Sequence, residues 1–178
     1  MKGIVMNLLA EMVEEQFGLA AWNELLEKAG YDGVYTAAGM YEDAELLDLV
    51  AMASEMTGVP VEQLVYAFGE FMFPSFLARY PDLIDGSIGF LSFLETIDNV
   101  IHVEVKKIHP GANTPSFQHH RTGPESLVLR YQSDRKMCTL AEGLIRGAAN
   151  HYQTEYELEH SPCMKHGADH CGLSIVTK

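Results

Sequence analysis

The chain has 178 residues, 47% of them hydrophobic, which is enough to bury a sizeable core and excludes a disordered chain. Its 12 Lys and Arg against 25 Asp and Glu leave a net charge of −13, which argues against nucleic acid or an anionic membrane surface as the main partner. No apolar run approaches the roughly 18 residues of a membrane span.

In chain order, residues 2–17 carry apolar residues at helical spacing, and Glu11, Glu14 and Glu15 mark an amphipathic helix rather than a signal peptide. Residues 19–29 repeat the pattern until "AGYDG" breaks it. A third helix is expected over 42–57, with Asp43 and Glu45 as favourable charges near its start and Gly58 closing it. A fourth runs over 60–79, with Pro60 in its first turn and Pro74 as a kink. "RYPDLIDGS" reads as a turn. From 87 to about 107 the spacing of Phe90, Phe93, Leu94, Ile97 and Ile101 predicts one long helix ending soon after His102.

After "HPGANTP" the texture changes. Residues 125–134, 154–162 and 170–178 are strand candidates around a helix over 139–152, and His119-His120 reads as a loop or strand-edge pair. The expectation is an α+β chain: one domain over 1–178, helical over 1–80 and mixed, with an antiparallel sheet, over 81–178.

Two motifs carry chemistry. His102, on an apolar helical stretch, reads either as a core histidine bonded to a carbonyl or as an axial ligand to haem iron, which neutral imidazole suits. "YQSDR" puts Tyr131, Ser133 and Arg135 at alternate positions, so an extended chain would aim all three at one face. Such a row is either a solvated face or a place to hold an anion through hydroxyl donors and a guanidinium fork.

Together the two resemble the H-NOX family, the haem domain of bacterial gas sensors and of soluble guanylate cyclase. The resemblance rests on Tyr-x-Ser-x-Arg at 131–135, on His102 some thirty residues upstream, on the His-Pro-Gly-Ala stretch at 109–112 and on the "MKGIV" start. It implies the H-NOX fold with haem between the two halves, a b-type haem ligated by His102, propionates held by Tyr131, Ser133 and Arg135, and Pro115 pressing on the porphyrin. It also implies a distal pocket built from positions such as Val5, Leu9, Pro74, Ala78, Leu140 and Leu144. None of these offers a side-chain donor, so nitric oxide and carbon monoxide are the expected ligands. The implied function is sensing, not catalysis: nitric oxide weakens the iron–His102 bond, and the change is passed to a separate histidine kinase or cyclic-di-GMP enzyme. One alternative is an oxygen-binding haem sensor using a donor such as Tyr66 or Tyr152. Another is a haem-free, zinc-stabilised interaction module.

The chain has three cysteines and no export signal, so it is expected in the cytoplasm with thiols that are reduced or bound to metal. Cys138, His160, Cys163 and Cys171 make a candidate tetrahedral zinc set, with His166 and His170 as rival ligands; the other reading is free buried thiols.

Overall fold

The computed structural model describes residues 1–84 and 86–178. The expected turn at 79–87 includes Asp85, which lies outside the described residues; before it, Pro81–Leu83 form a short 3-10 turn.

The N-terminal half is built from α1 (Gly3–Phe17), α2 (Leu19–Ala29), α3 (Asp43–Thr57) and α4 (Val61–Arg79). These bounds follow the apolar periodicity closely. Gly30 and Gly58 close α2 and α3 in the left-handed conformation, at φ 79° and 73°, where a side chain would be strained. Pro60 takes the N-cap of α4 rather than its first turn, and α4 runs on through an exposed Pro74 to Arg79. Met6, Leu8, Leu46, Leu49 and Phe68 are almost wholly buried where these helices meet.

The expected single helix over 87–107 is in fact three segments: α5 (Phe90–Thr96), a π-helical turn (Ile97–Ile101) and α6 (His102–Ile108). The widened turn shows in the backbone, where the His102 N–H donates to the Ile97 carbonyl. A tertiary tie accompanies it: the carboxylate of Asp98 accepts the backbone N–H of Phe117 at 3.2 Å. His102 therefore opens α6 instead of lying near the end of a long helix.

β1 (Ser116–Gly123), β2 (Ser126–Gln132), β3 (Tyr156–His160) and β4 (Cys171–Thr177) form an antiparallel sheet in the order β1-β2-β4-β3, with α7 (Cys138–His151) between β2 and β3 in sequence. β2 and β4 alternate as half-buried strands should: Leu127, Leu129 and Tyr131 sit opposite Ile175, Leu173 and Cys171 on the covered face. β1 is an edge strand that the sequence pattern does not announce, since Phe117 is its one buried residue and His119 and His120 are exposed.

Ser133 and Arg135 do not continue β2. The strand ends at Gln132, and the chain turns through 133–136: the Lys136 N–H donates to the Ser133 carbonyl at 3.0 Å, and the Arg135 N–H reaches Ser133 Oγ at 3.3 Å. Lys136 has φ 51° in this turn, which redirects the chain into α7.

α7 crosses α4 at glycines. A Cβ on Gly69 would collide with the Leu140 carbonyl and stand 2.9 Å from Gly143 Cα; one on Gly143 would collide with the Tyr66 carbonyl and stand 2.9 Å from Gly69 Cα. The obstacles are backbone atoms, which cannot swing aside. Gly143→Ala should therefore destabilise the protein by about 1–3 kcal/mol, despite alanine's better helix propensity. Urea unfolding measures this; an unchanged or raised midpoint would contradict it.

Candidate functional site

A cavity of about 640 Å³ lies where the two halves meet, within the size range of cofactor pockets. Its lining on α1, α4 and α7 is Ile4, Val5, Met72, Phe73, Phe76, Leu140, Ala141, Leu144 and Ile145, all apolar. Its polar lining comes from elsewhere: His102, His109, Thr114, Tyr131, Ser133 and Arg135 among others, with Pro115 beside them. His102, Pro115, Tyr131, Ser133, Arg135, Val5, Leu140 and Leu144 are thus brought to one cavity. Leu9 is not: it is buried with the N-terminal helices. Pro74 and Ala78 are exposed and do not line the cavity either. The rival donors also point elsewhere. The Tyr66 hydroxyl accepts from Arg146 Nε at 3.2 Å, and Tyr152 packs 5.6 Å from Phe93 between ring centres.

His102 is mostly buried, its ring 5.8 Å from that of Phe117. Burial lowers its pKa, partly opposed by Asp98, whose Oδ1 stands 3.4 Å from Nδ1. The outcome is a neutral imidazole whose Nδ1 faces the Asp98 carboxylate. Arg135 is held loosely for a half-buried guanidinium, with Met1 Sδ at 3.4 Å and Asp43 Oδ2 at 3.7 Å. The Tyr131 hydroxyl bonds with Ser133, and burial raises its pKa, so it stays a donor. A buried neutral imidazole, apolar walls and a half-satisfied cationic fork suit a flat, apolar, dicarboxylate cofactor such as haem.

A second group lies at the start of α7. Ligand atoms of Cys138, His160, Cys163 and Cys171 all lie within 4.8 Å of one another. Cys163 Sγ is 3.9 Å from both Cys138 Sγ and Cys171 Sγ, close to the roughly 3.8 Å edge of a tetrahedron with 2.3 Å metal–sulfur bonds. Burial first, then the neighbouring thiols, pushes the Cys138 thiol up to about 12. His160 gives Nδ1 to Glu142 at 2.6 Å, while its Nε2 is buried without a partner. A buried nitrogen without a partner, grouped with three crowded thiols, is a donor set that could hold a cation. His166 and His170 are not in the group; His170 pairs with Asp169.

The sequence matches the Haem-NO-binding family over residues 2–160. The chain belongs to this family. Solved H-NOX structures are similar to it along its whole length. The H-NOX protein from S. oneidensis in the Fe(II)NO state is 39% identical with a TM-score of 0.95, covering 100% of this chain and 99% of that one. The Fe(II) unliganded H-NOX protein from K. algicida is 30% identical with a TM-score of 0.88, covering 100% and 97%. The IWP-051-bound H-NOX from Shewanella woodyi in the Fe(II)CO state is 33% identical with a TM-score of 0.86, covering 100% and 95%. Among curated relatives, soluble guanylate cyclase gcy-31 of Caenorhabditis elegans is 26% identical over 165 residues, 89% of this chain and 23% of that protein. The chain spans 20–24% of the length of the guanylate cyclases it matches.

Within this H-NOX fold, the sequence pattern missed Asp98 and Glu142, whose carboxylates stand beside His102 and His160. Each lies four residues along a helical stretch from a candidate ligand, Asp98 before His102 and Glu142 after Cys138, and that spacing was the available signal. It also missed His109. This buried residue bonds Tyr80 through Nε2 at 2.9 Å, and its Nδ1 is without a partner. Burial and then Lys2 lower its pKa. The unfolded chain, with an ordinary histidine pKa near 6.5, therefore binds a proton that the folded chain resists. The stability due to neutral His109 is complete above about pH 6.5 and is lost as pH falls from there toward the lower folded value. Urea unfolding from pH 8 to pH 5 should show wild type losing stability more steeply than His109→Gln; parallel profiles would contradict this.

Proposed function

We propose that this H-NOX chain senses nitric oxide, and also takes carbon monoxide, at a b-type haem held in the cavity. The observation that carries the reading is the union in one cavity of a largely buried His102, the Tyr131–Ser133–Arg135 donors and an apolar wall from α1, α4 and α7. Ferrous haem, when bound, supplies the open coordination position at which a diatomic gas is taken.

The chain's residues do the rest. His102 would hold the haem iron through its imidazole. Arg135, Tyr131 and Ser133 meet two carboxylates that would otherwise be costly to bury. Pro115, which lines the same cavity, would border the bound cofactor. Val5, Leu140 and Leu144 decide selectivity: oxygen gathers negative charge on binding and finds no donor here, while nitric oxide needs one far less. The signal is a change in how tightly His102 is held. Because α6 begins at this residue, loosening it frees a whole helix to shift. A partner that prefers one of the two arrangements then reads the ligand state, typically through a coupling of about 1–3 kcal/mol.

The proposed partner is a separate histidine kinase or cyclic-di-GMP enzyme in the cytoplasm. Glu14 and Glu15 are exposed and available for salt-sensitive docking, whereas Glu11 is already paired with Arg79. Among the described residues, no helix is long and apolar enough to cross a membrane. For the second group we propose zinc, bound by Cys138, His160, Cys163 and Cys171 and tying β3 and β4 to the start of α7.

Two measurements test these readings. The absorption spectrum of the reduced, haem-loaded protein should shift with nitric oxide and carbon monoxide and stay unchanged in aerated buffer until the iron oxidises. His102→Gly should hold haem only when imidazole is supplied. A persistent oxygen complex would overturn the gas assignment, and an unaltered spectrum in His102→Gly without imidazole would overturn the ligand assignment. Metal analysis should find about one zinc per chain, as a closed four-ligand site requires. Cys163→Ala should lower that content and leave haem binding largely intact. Folded wild-type protein without zinc would favour free thiols.

A further inference from the structure

We propose that Asp98 is the positioning carboxylate of the His102 imidazole, fixing the ring and strengthening the bond that His102 makes to the haem iron. The inference rests on the haem reading above and names the residue that tunes it. A single oxygen does two things: Asp98 Oδ1 lies 3.4 Å from His102 Nδ1 and accepts the Phe117 backbone N–H at 3.2 Å. The Pro115 backbone is a second acceptor against the same ring, and the Phe117 side chain packs 5.8 Å from it between ring centres. The imidazole is thus bracketed by the π turn on one side and by the entry to β1 on the other.

The choice of a carboxylate matters. A backbone carbonyl alone would fix the tautomer and the ring plane. A carboxylate also draws the Nδ1 proton toward itself and makes the opposite nitrogen a more basic, stronger ligand. The distance sets the strength. At 3.4 Å the contact is long beside the roughly 2.7–2.9 Å of a charge-assisted hydrogen bond, and the Asp98 carboxylate is partly exposed. Its pull is therefore moderate. That suits a sensor, whose iron–histidine bond must hold at rest and yield to the ligand. The tie to Phe117 adds a mechanical role: the carboxylate cannot follow His102 without leaving β1.

The test uses the full-length, haem-loaded ferrous protein. Asp98→Asn keeps the shape and an oxygen for the Phe117 N–H but removes the charge; Asp98→Ala removes both. The iron–histidine stretching frequency, read by resonance Raman, should shift down in Asp98→Asn with melting temperature and haem content unchanged. It should shift further in Asp98→Ala and recover in part in Asp98→Glu. A frequency unmoved in both Asp98→Asn and Asp98→Ala, in protein whose haem is still held by His102, overturns the proposal and leaves the haem reading standing. Wild-type protein that shows no iron–histidine band overturns the haem reading and this inference with it.

Discussion

The crossing of α4 and α7 is the constraint on which the rest depends. Gly69 and Gly143 meet with their backbones nearly touching, so α7 is pinned where no side chain could intervene. Once pinned, its positions are assigned. Leu140, Ala141, Leu144 and Ile145 line the cavity, while Cys138 and Glu142 serve the cysteine cluster. Leu144 packs against both core clusters, the helical one and the one built on the sheet. A helix shared in this way cannot be repacked for one site without disturbing the other.

The sheet makes a second link between the sites. Antiparallel register places Tyr131 directly opposite Cys171. The first residue of the donor row and the last residue of the thiol cluster are therefore a cross-strand pair on the covered face. Both are almost completely buried. A slip of one residue in this pairing would turn one of the two side chains to the other face of the sheet. The polar groups of the two sites are thus held in common by a hydrophobic ladder, Leu127, Leu129, Leu173 and Ile175.

The sequence revealed some of this and hid the rest for physical reasons. α1 to α4 could be read because each buries one stripe, and the stripe writes a 3.6-residue period into the chain. β2 and β4 showed their alternation for the same reason. β1 did not, since an edge strand with one buried side chain is held by its backbone hydrogen bonds, which leave little trace in side-chain chemistry. The break at 97–101 was hidden by apolar residues that keep helical spacing straight through it; the tie from Asp98 to Phe117 joins residues nineteen apart. The Tyr131–Ser133–Arg135 row reaches one cavity, as the alternation suggested, but through a turn and not along a strand. Glu142 looked like an ordinary helix-surface acid, because only the folded chain brings the His160 nitrogen to it, whereas Asp98 could have been read from its four-residue spacing to His102.

The π turn before His102 has one further property. It accommodates one residue more than an α-helical turn would, so the chain carries spare length directly upstream of the imidazole. Rewinding that turn into α-helix would carry everything after it by about one residue's rise, roughly 1.5 Å, and rotate it by about 100°. The segment 109–115, between α6 and the sheet-bound β1, would have to take up the change. The size of the step that such a rewinding would take at the base of α6 is thus set by helix geometry.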